Sequence, residues 1–320
     1  VVANAGTQEL RIFDSNGALL SRFGRRGKGP GEFERLGWVG HSGDTAFVFD
    51  GASNRLSTIR LGESPLLLDG LNVTSDGGKG RYSITGRLAD GRWLATTGIQ
   101  PTFDGPPGVH RLPGYAGLIP ITGDGQVDWL AEQPSGAIFV YNPTGDVANA
   151  AVGVIAFTPW FHAAAAGSNF WYGESGADSL IRLDTRTGER TVVRLPFPAA
   201  APSPAAIAAL RAEALGQARF PADSGYAEAK HSGRYLPKQL PYFGGLRATS
   251  NGELWVPEYS EQPPAPTRHL VLNETGVALA WVTMPAGVRL LDAGADYIIG
   301  VHSDLDGIEA VRVYRLSRNQ

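Results

Sequence analysis

The chain has 320 residues and a formal net charge of −3 at pH 7, which supplies no electrostatic reason to expect nucleic acid or an anionic membrane surface. Its 42 glycines and 22 prolines exclude a helical protein, 42% hydrophobic content excludes disorder, and no apolar run approaches the ~18 residues of a membrane-spanning helix. The absence of cysteine excludes disulfides, thiolate zinc sites and cysteine nucleophiles.

Taken in order, the chain divides into six hairpin-rich units of up to four strands each, labelled a to d. The first has VVAN, ELRIF and ALLSRF as b, c and d, with the turn cluster Asp14-Ser15-Asn16-Gly17 between c and d. The second runs LGWVGH, TAFVFD, RLSTIR and LLLD. The third runs RYSITGRL, WLATTG, GLIPIT and VDWLA. The fourth runs VIAFTPWFHA, FWYGE, LIRLD and TVVRLPF. The fifth runs FGGLRATS, ELWVPE, RHLVLN and VALAWVT. The sixth has VRLLDAG, YIIGVH and AVRVYRL and no strand d. Antiparallel units repeating every forty to fifty residues or so predict an all-β fold: a six-bladed β-propeller with four-stranded blades, one domain over 1–320. A pair of β-sandwiches is the alternative.

The opening segment, with FGRRGKGPGEF, resembles the first blade of the NHL-like six-bladed propeller proteins of bacteria. PYFGGLRATSNGELWVPEY (241–259) and AGVRLLDAGADYIIGV (286–301) resemble late blades of the same group. The resemblance implies the propeller fold and export, either secreted, periplasmic or lipid-anchored. It implies no reaction, because propellers host unrelated functions. Residue 1 is Val and the sole methionine is Met284, so a processed product or fragment is expected. The first unit lacks strand a and the last lacks strand d, as if the closing blade were cut upstream of residue 1.

Strand alternation puts the a–b and c–d turns on one face, where they are short (SGD 42–44, SNG 250–252, ETG 274–276). The other face receives long links: 24–35, 99–116, 137–151 and 198–241. Long loops on a rigid scaffold are where function concentrates. The last of them holds the one expected helix, 203–220, with Ser203 as N-cap and Pro204 at the first helical position. It is either a lid over the channel or a fixed cap.

Each b strand is expected to end near the axis on that elaborated face. Asn4, Asp50, Glu174, Glu258 and His302 end such strands, with Gln100 just past the third. One oxygen or nitrogen donor per blade would suit Ca²⁺ or a similar divalent cation. The arrangement is similar to the metal ring of gluconolactonase- and paraoxonase-type hydrolases. The alternative is that these residues cap turns. His110, His231 and His302 are candidate general bases. Arg25, Arg26 and Lys28 could meet an anionic ligand, and Phe161 or Tyr259 could stack on a sugar. GRRGKGPG has neither the phosphate-loop nor the dinucleotide spacing, so no nucleotide or organic cofactor is expected. Two functions follow: a metal-assisted hydrolase or lyase, or a non-catalytic module binding a small molecule, a carbohydrate or a protein. A monomer is expected.

Overall fold

The computed structural model describes residues 1–317 except 15, 74–78, 80–81, 99–104, 122–124, 146–149, 262–264 and 305. Gln100 therefore lies outside the described residues. The chain is mostly β, with six antiparallel sheets and two helices among the described residues, and it separates into two compact units.

The first unit comprises Val1–Gly98 and Tyr115–Ala131. Its opening sheet has three strands, β1 (Val2–Asn4), β2 (Glu9–Phe13) and β3 (Leu19–Phe23). The next has four, β4 (Leu36–Ser42), β5 (Thr45–Asp50), β6 (Arg55–Arg60) and β7 (Leu66–Asn72). Gln8 joins the two. Its backbone is left-handed at φ 57°, and its buried side-chain oxygen accepts the Leu36 N–H at 2.7 Å. β8 (Tyr82–Arg87) and β9 (Trp93–Thr97) begin the third sheet. β1 packs on β4, and β4 packs on β8, so consecutive sheets meet through their leading strands. The apolar cluster Phe47, Phe49, Tyr82, Ile84 and Trp93 fills the space between the second and third sheets.

Two long strands continue the third sheet: β10 (Gly108–Ile119) and β11 (Asp128–Tyr141), followed by β12 (Ala151–Val154). The sheet therefore has five strands rather than four. Residues 108–116 of what read as the loop 99–116, and 137–141 of what read as the loop 137–151, are strand instead. Pro113 and Gly114 lie inside β10, and the Pro134-Ser135-Gly136 run lies inside β11.

The second unit comprises Ile99–Gly114 and Glu132–Gln320. The strand expected over 154–163 starts only at Phe161. Phe157 takes left-handed backbone (φ 60°), and the Thr158 hydroxyl donates to the Ile155 carbonyl at 3.0 Å, closing a turn there. The fourth sheet is β13 (Phe161–Ala166), β14 (Asn169–Glu174), β15 (Ser179–Asp184) and β16 (Arg190–Arg194). After it come α1 (Pro204–Gln217) and a second helix not expected from sequence, α2 (Pro221–Lys230). The Ser203 hydroxyl caps α1, accepting the Ala206 N–H at 3.1 Å. The Asp223 carboxylate accepts the N–H groups of Arg219 and Phe220 at the head of α2. The fifth sheet is β17 (Arg247–Ala248), β18 (Leu254–Pro257), β19 (Thr267–Leu272) and β20 (Ala278–Met284). The sixth is β21 (Val288–Ala293), β22 (Tyr297–Ser303) and β23 (Glu309–Arg315). β13, β17 and β21, the leading strands of three consecutive sheets, pack in that order. Trp171 and Trp255, both fully buried, anchor the clusters on either side of the fifth sheet.

Candidate functional site

In the second unit the ends of β14 and β18 are stitched into one rim by main-chain hydrogen bonds. The Ser175 N–H donates to the Trp160 carbonyl at 2.8 Å, and the Trp160 N–H donates back to the Ser175 hydroxyl at 2.9 Å. The Tyr242 N–H donates to the Ser175 carbonyl at 2.7 Å, and the Tyr259 N–H to the Tyr242 carbonyl at 3.3 Å. The β11 strand joins through Gly136, whose N–H donates to Pro159, and through the Ser135 hydroxyl, which accepts the Phe161 N–H. This relay brings Glu174 and Glu258, the b-strand ends of their sheets, onto the same rim as Phe161 and Tyr259.

Glu174 is the electrostatically unusual group there. Its side chain is 19% exposed, and its one ion pair among the described residues is a loose contact at 3.4 Å to Arg111 of β10. Burial pushes the carboxyl above its ordinary range. The Arg111 charge and the Gly176 N–H oppose the shift without cancelling it. Arg111 remains mostly exposed. It lies in a stretch that read as loop, so nothing in the sequence pointed to its pairing with Glu174. Glu258 meets Arg268 at 3.7 Å, and that guanidinium also sits 4.3 Å from the Trp281 ring centre. Burial, and then the Glu261 charge, push the Tyr259 hydroxyl upward. Phe161 packs its ring against Tyr172, 6.4 Å between centres and near-perpendicular.

The helical insertion sits at this end of the fifth sheet. Glu261, just past β18, accepts the Ser203 N–H at 2.6 Å, and Tyr259 packs in one cluster with Ile207, Leu210, Leu236 and Leu240. The short 250–252 turn is at the opposite end of β18, so the helices share a side with Glu258, as the strand-direction argument requires.

Asn4 and Asp50, in the first unit, have their oxygens committed to backbone. Asn4 Oδ1 accepts the N–H groups of Gly6 and Thr7. Asp50 has no exposed surface. Its carboxylate accepts from Glu34, Arg35, Ala52 and Ser53 at 2.8, 3.1, 2.9 and 3.4 Å. Both perform the turn-capping role weighed as the alternative to metal ligation. The glycine-rich link is also internally paired. Arg25 meets Glu32 at 2.6 Å and Lys28 meets Glu34 at 3.5 Å, so neither presents an unopposed charge, while Arg26 is exposed.

Among the described residues no three His, Asp or Glu side chains stand together as a group able to hold a metal ion. His231 is buried as the C-cap of α2, and its Nδ1 donates to the Ala227 carbonyl at 2.9 Å. His110 Nε2 lies 2.7 Å from the Pro106 carbonyl oxygen. His302 is partly exposed on β22, opposite Val288. His162, which sequence reading passed over, is the most perturbed histidine. Burial beside Phe243 lowers it to about 4. A lone histidine in an alanine-rich strand carries no sequence signal of that kind.

No family model and no curated protein matches the chain. Among solved structures it is similar to a protein from Bacteroides fragilis, with 14% identity and a TM-score of 0.48 over 93% of this chain and 75% of that one. It is similar to a member of the duf4221 family from Bacteroides vulgatus, with 10% identity and a TM-score of 0.44 over 97% of this chain and 87% of that one. It is also similar to streptogramin B lyase, with 13% identity and a TM-score of 0.40 over 98% of this chain and 78% of that one.

Proposed function

We propose that this chain is an exported six-bladed β-propeller that binds a small-molecule or carbohydrate ligand on the rim formed by Glu174, Arg111, Glu258 and Tyr259. The arrangement of blades is supported by six antiparallel sheets that meet, within each unit, through consecutive leading strands. The observation that carries the binding reading is the Arg111–Glu174 pair. A half-buried carboxyl with a raised pKa and one loose cationic partner has hydrogen-bonding capacity left for a polar ligand. The aromatic residues beside it supply apolar surface on which a sugar ring can rest. A glycan and metabolite panel, read by isothermal titration calorimetry, tests this reading. A hit should weaken at least about tenfold in Glu174→Gln and in Arg111→Ala, a loss of ~1.4 kcal/mol. Hits unaffected by both changes would place the ligand elsewhere.

A second reading, a metal-assisted hydrolase or lyase, is favoured by the same raised carboxyl, since a glutamic acid poised toward neutrality can donate a proton. Hydrolysis of a lactone and ester panel, with and without a chelator, separates the two. Activity lost in Glu174→Gln supports the enzyme, and loss on chelation adds a divalent cation such as Ca²⁺. Binding without turnover leaves the module.

A further inference from the structure

α1 carries more apolar surface than its packing uses. Within Pro204–Gln217 only Arg211, Glu213 and Gln217 have polar side chains. Ala206 and Leu210 pack into the cluster around Phe139 and Leu236, which covers one side of the helix. Ile207, Ala208, Ala212 and Leu215 recur at helical spacing along a second side, where Ala208 and Ala212 are exposed. That second side is one wall of a groove of about 570 Å³. His231 and Ser232, at the end of α2, form the other.

A groove of this size takes one small molecule. It also holds one buried polar side chain, His231, which is 7% exposed. The His231 Nδ1 donates to the Ala227 carbonyl at 2.9 Å. A carbonyl can only accept, so the proton of the neutral ring sits on Nδ1 and Nε2 keeps its lone pair. Nε2 has no hydrogen-bond partner among the described residues, yet it is not sealed in the interior: the open space beside it is the groove. The Ser232 hydroxyl lines the same groove and is also without a hydrogen bond to the described residues. The one charge on the α1 wall, Arg211, meets Glu228 at 3.7 Å and is not left unopposed. A carboxylate head would face the Nε2 lone pair and be repelled by it. A single hydroxyl on an apolar body satisfies both polar groups, donating to one and accepting from the other.

We infer that the groove between α1 and the end of α2 is a further binding site, taking a small apolar molecule whose one hydroxyl donates to His231 Nε2 and accepts from Ser232. The site lies wholly within the helical insertion. It rests on neither Glu174, Arg111 nor the closed ring, so it stands or falls independently of the function proposed above.

Titration calorimetry of the full chain with para-propylphenol tests the inference. Two controls accompany it: para-propylanisole, the methyl ether that keeps the volume and the acceptor but has no proton to donate, and para-propylbenzoate, the anion. The phenol should bind with a Kd of about 1 mM or tighter, and each control at least about tenfold more weakly. His231→Phe keeps a ring and removes the acceptor, and should bring the phenol down to the affinity of the ether. Ala208→Trp fills the groove from the exposed wall of α1 and should abolish phenol binding. No binding by the wild type, equal Kd values for phenol and ether, or a benzoate that binds more tightly than the phenol overturns the proposal. An unchanged phenol Kd in Ala208→Trp overturns it too. If His231→Phe does not fold, because the cap on α2 is lost, the ether comparison in the wild type and Ala208→Trp decide between these outcomes.

Discussion

Asp50 in the first unit and Glu174 in the second end equivalent strands of their sheets, yet their carboxyl groups are pushed in opposite directions. Burial works to raise both. At Asp50 four backbone N–H groups overcome it and hold the carboxyl low. At Glu174 one N–H and a loosely held arginine do not. Burial alone therefore does not decide the charge state of a carboxylate; the number of donors aimed at it does. The first strand end is a structural bracket, and the second is the carboxyl to which the proposed function assigns a ligand.

The comparison breaks most visibly at Asp50. Asp50→Ala leaves several N–H groups without their acceptor, and urea melts should show a loss of about 3–5 kcal/mol. Asp50→Asn should lose less. Because the folded Asp50 carboxyl is depressed, its contribution is present above the ordinary carboxylate range and fades as pH falls through the lower folded value. A melt series with the same acid slope in wild type and Asp50→Asn would contradict this.

His162 should add a second acid sensitivity. The unfolded ring takes up a proton near 6.5 and the folded ring only near 4, so stability falls as pH drops across that window, by up to ~3 kcal/mol. His162→Phe should flatten the slope between pH 6.5 and 4. A smaller effect is expected at Gly153, where an added Cβ would clash with the Tyr226 hydroxyl oxygen. Gly153→Ala should cost about 1–3 kcal/mol in chemical denaturation by forcing α2 and β12 apart.

Glu174→Gln is the smallest stability change and sharpens the contrast. Its folded pKa is raised, so the wild type loses stability as pH climbs from the unfolded to the folded value, opposite in sign to Asp50. Replacing the carboxyl by a neutral isostere should leave stability at pH 7 within about 1 kcal/mol of wild type, or slightly above it, while ligand binding falls. A loss as large as that of Asp50→Ala would mean that Glu174 is another bracket.

Strand positions were largely legible because apolar alternation bounded by Asn-Gly and Asp-Gly turns reports directly on hairpins. ELRIF, TAFVFD and RLSTIR coincide with β2, β5 and β6. The reading failed where proline and glycine lie inside a ladder, at Pro113 and Gly136, and at Phe157, whose left-handed backbone no side-chain preference announces. α2 was missed although Pro221 and Asp223 are a starting signal, because Ser224 and Gly225 dilute its helical pattern. Of the candidate site, the strand-end position of Glu174 and Glu258 could be counted off in the sequence. Arg111 could not, since its pairing is made across 63 residues by the unexpected length of β10.

The rim stitching through Ser175, Tyr242 and Tyr259 uses main-chain donors and acceptors at positions 175, 242 and 259. The hydrogen bonds of this rim therefore ask nothing of the side chains at 242 and 259 beyond forbidding proline, which would delete the donor. The two rings are held instead by packing, Tyr242 on the cluster around Trp171 and Tyr259 on the cluster around Phe139. Substitutions there that keep a ring of similar volume should leave the loops in their places, while the frame that carries them is fixed by the backbone alone.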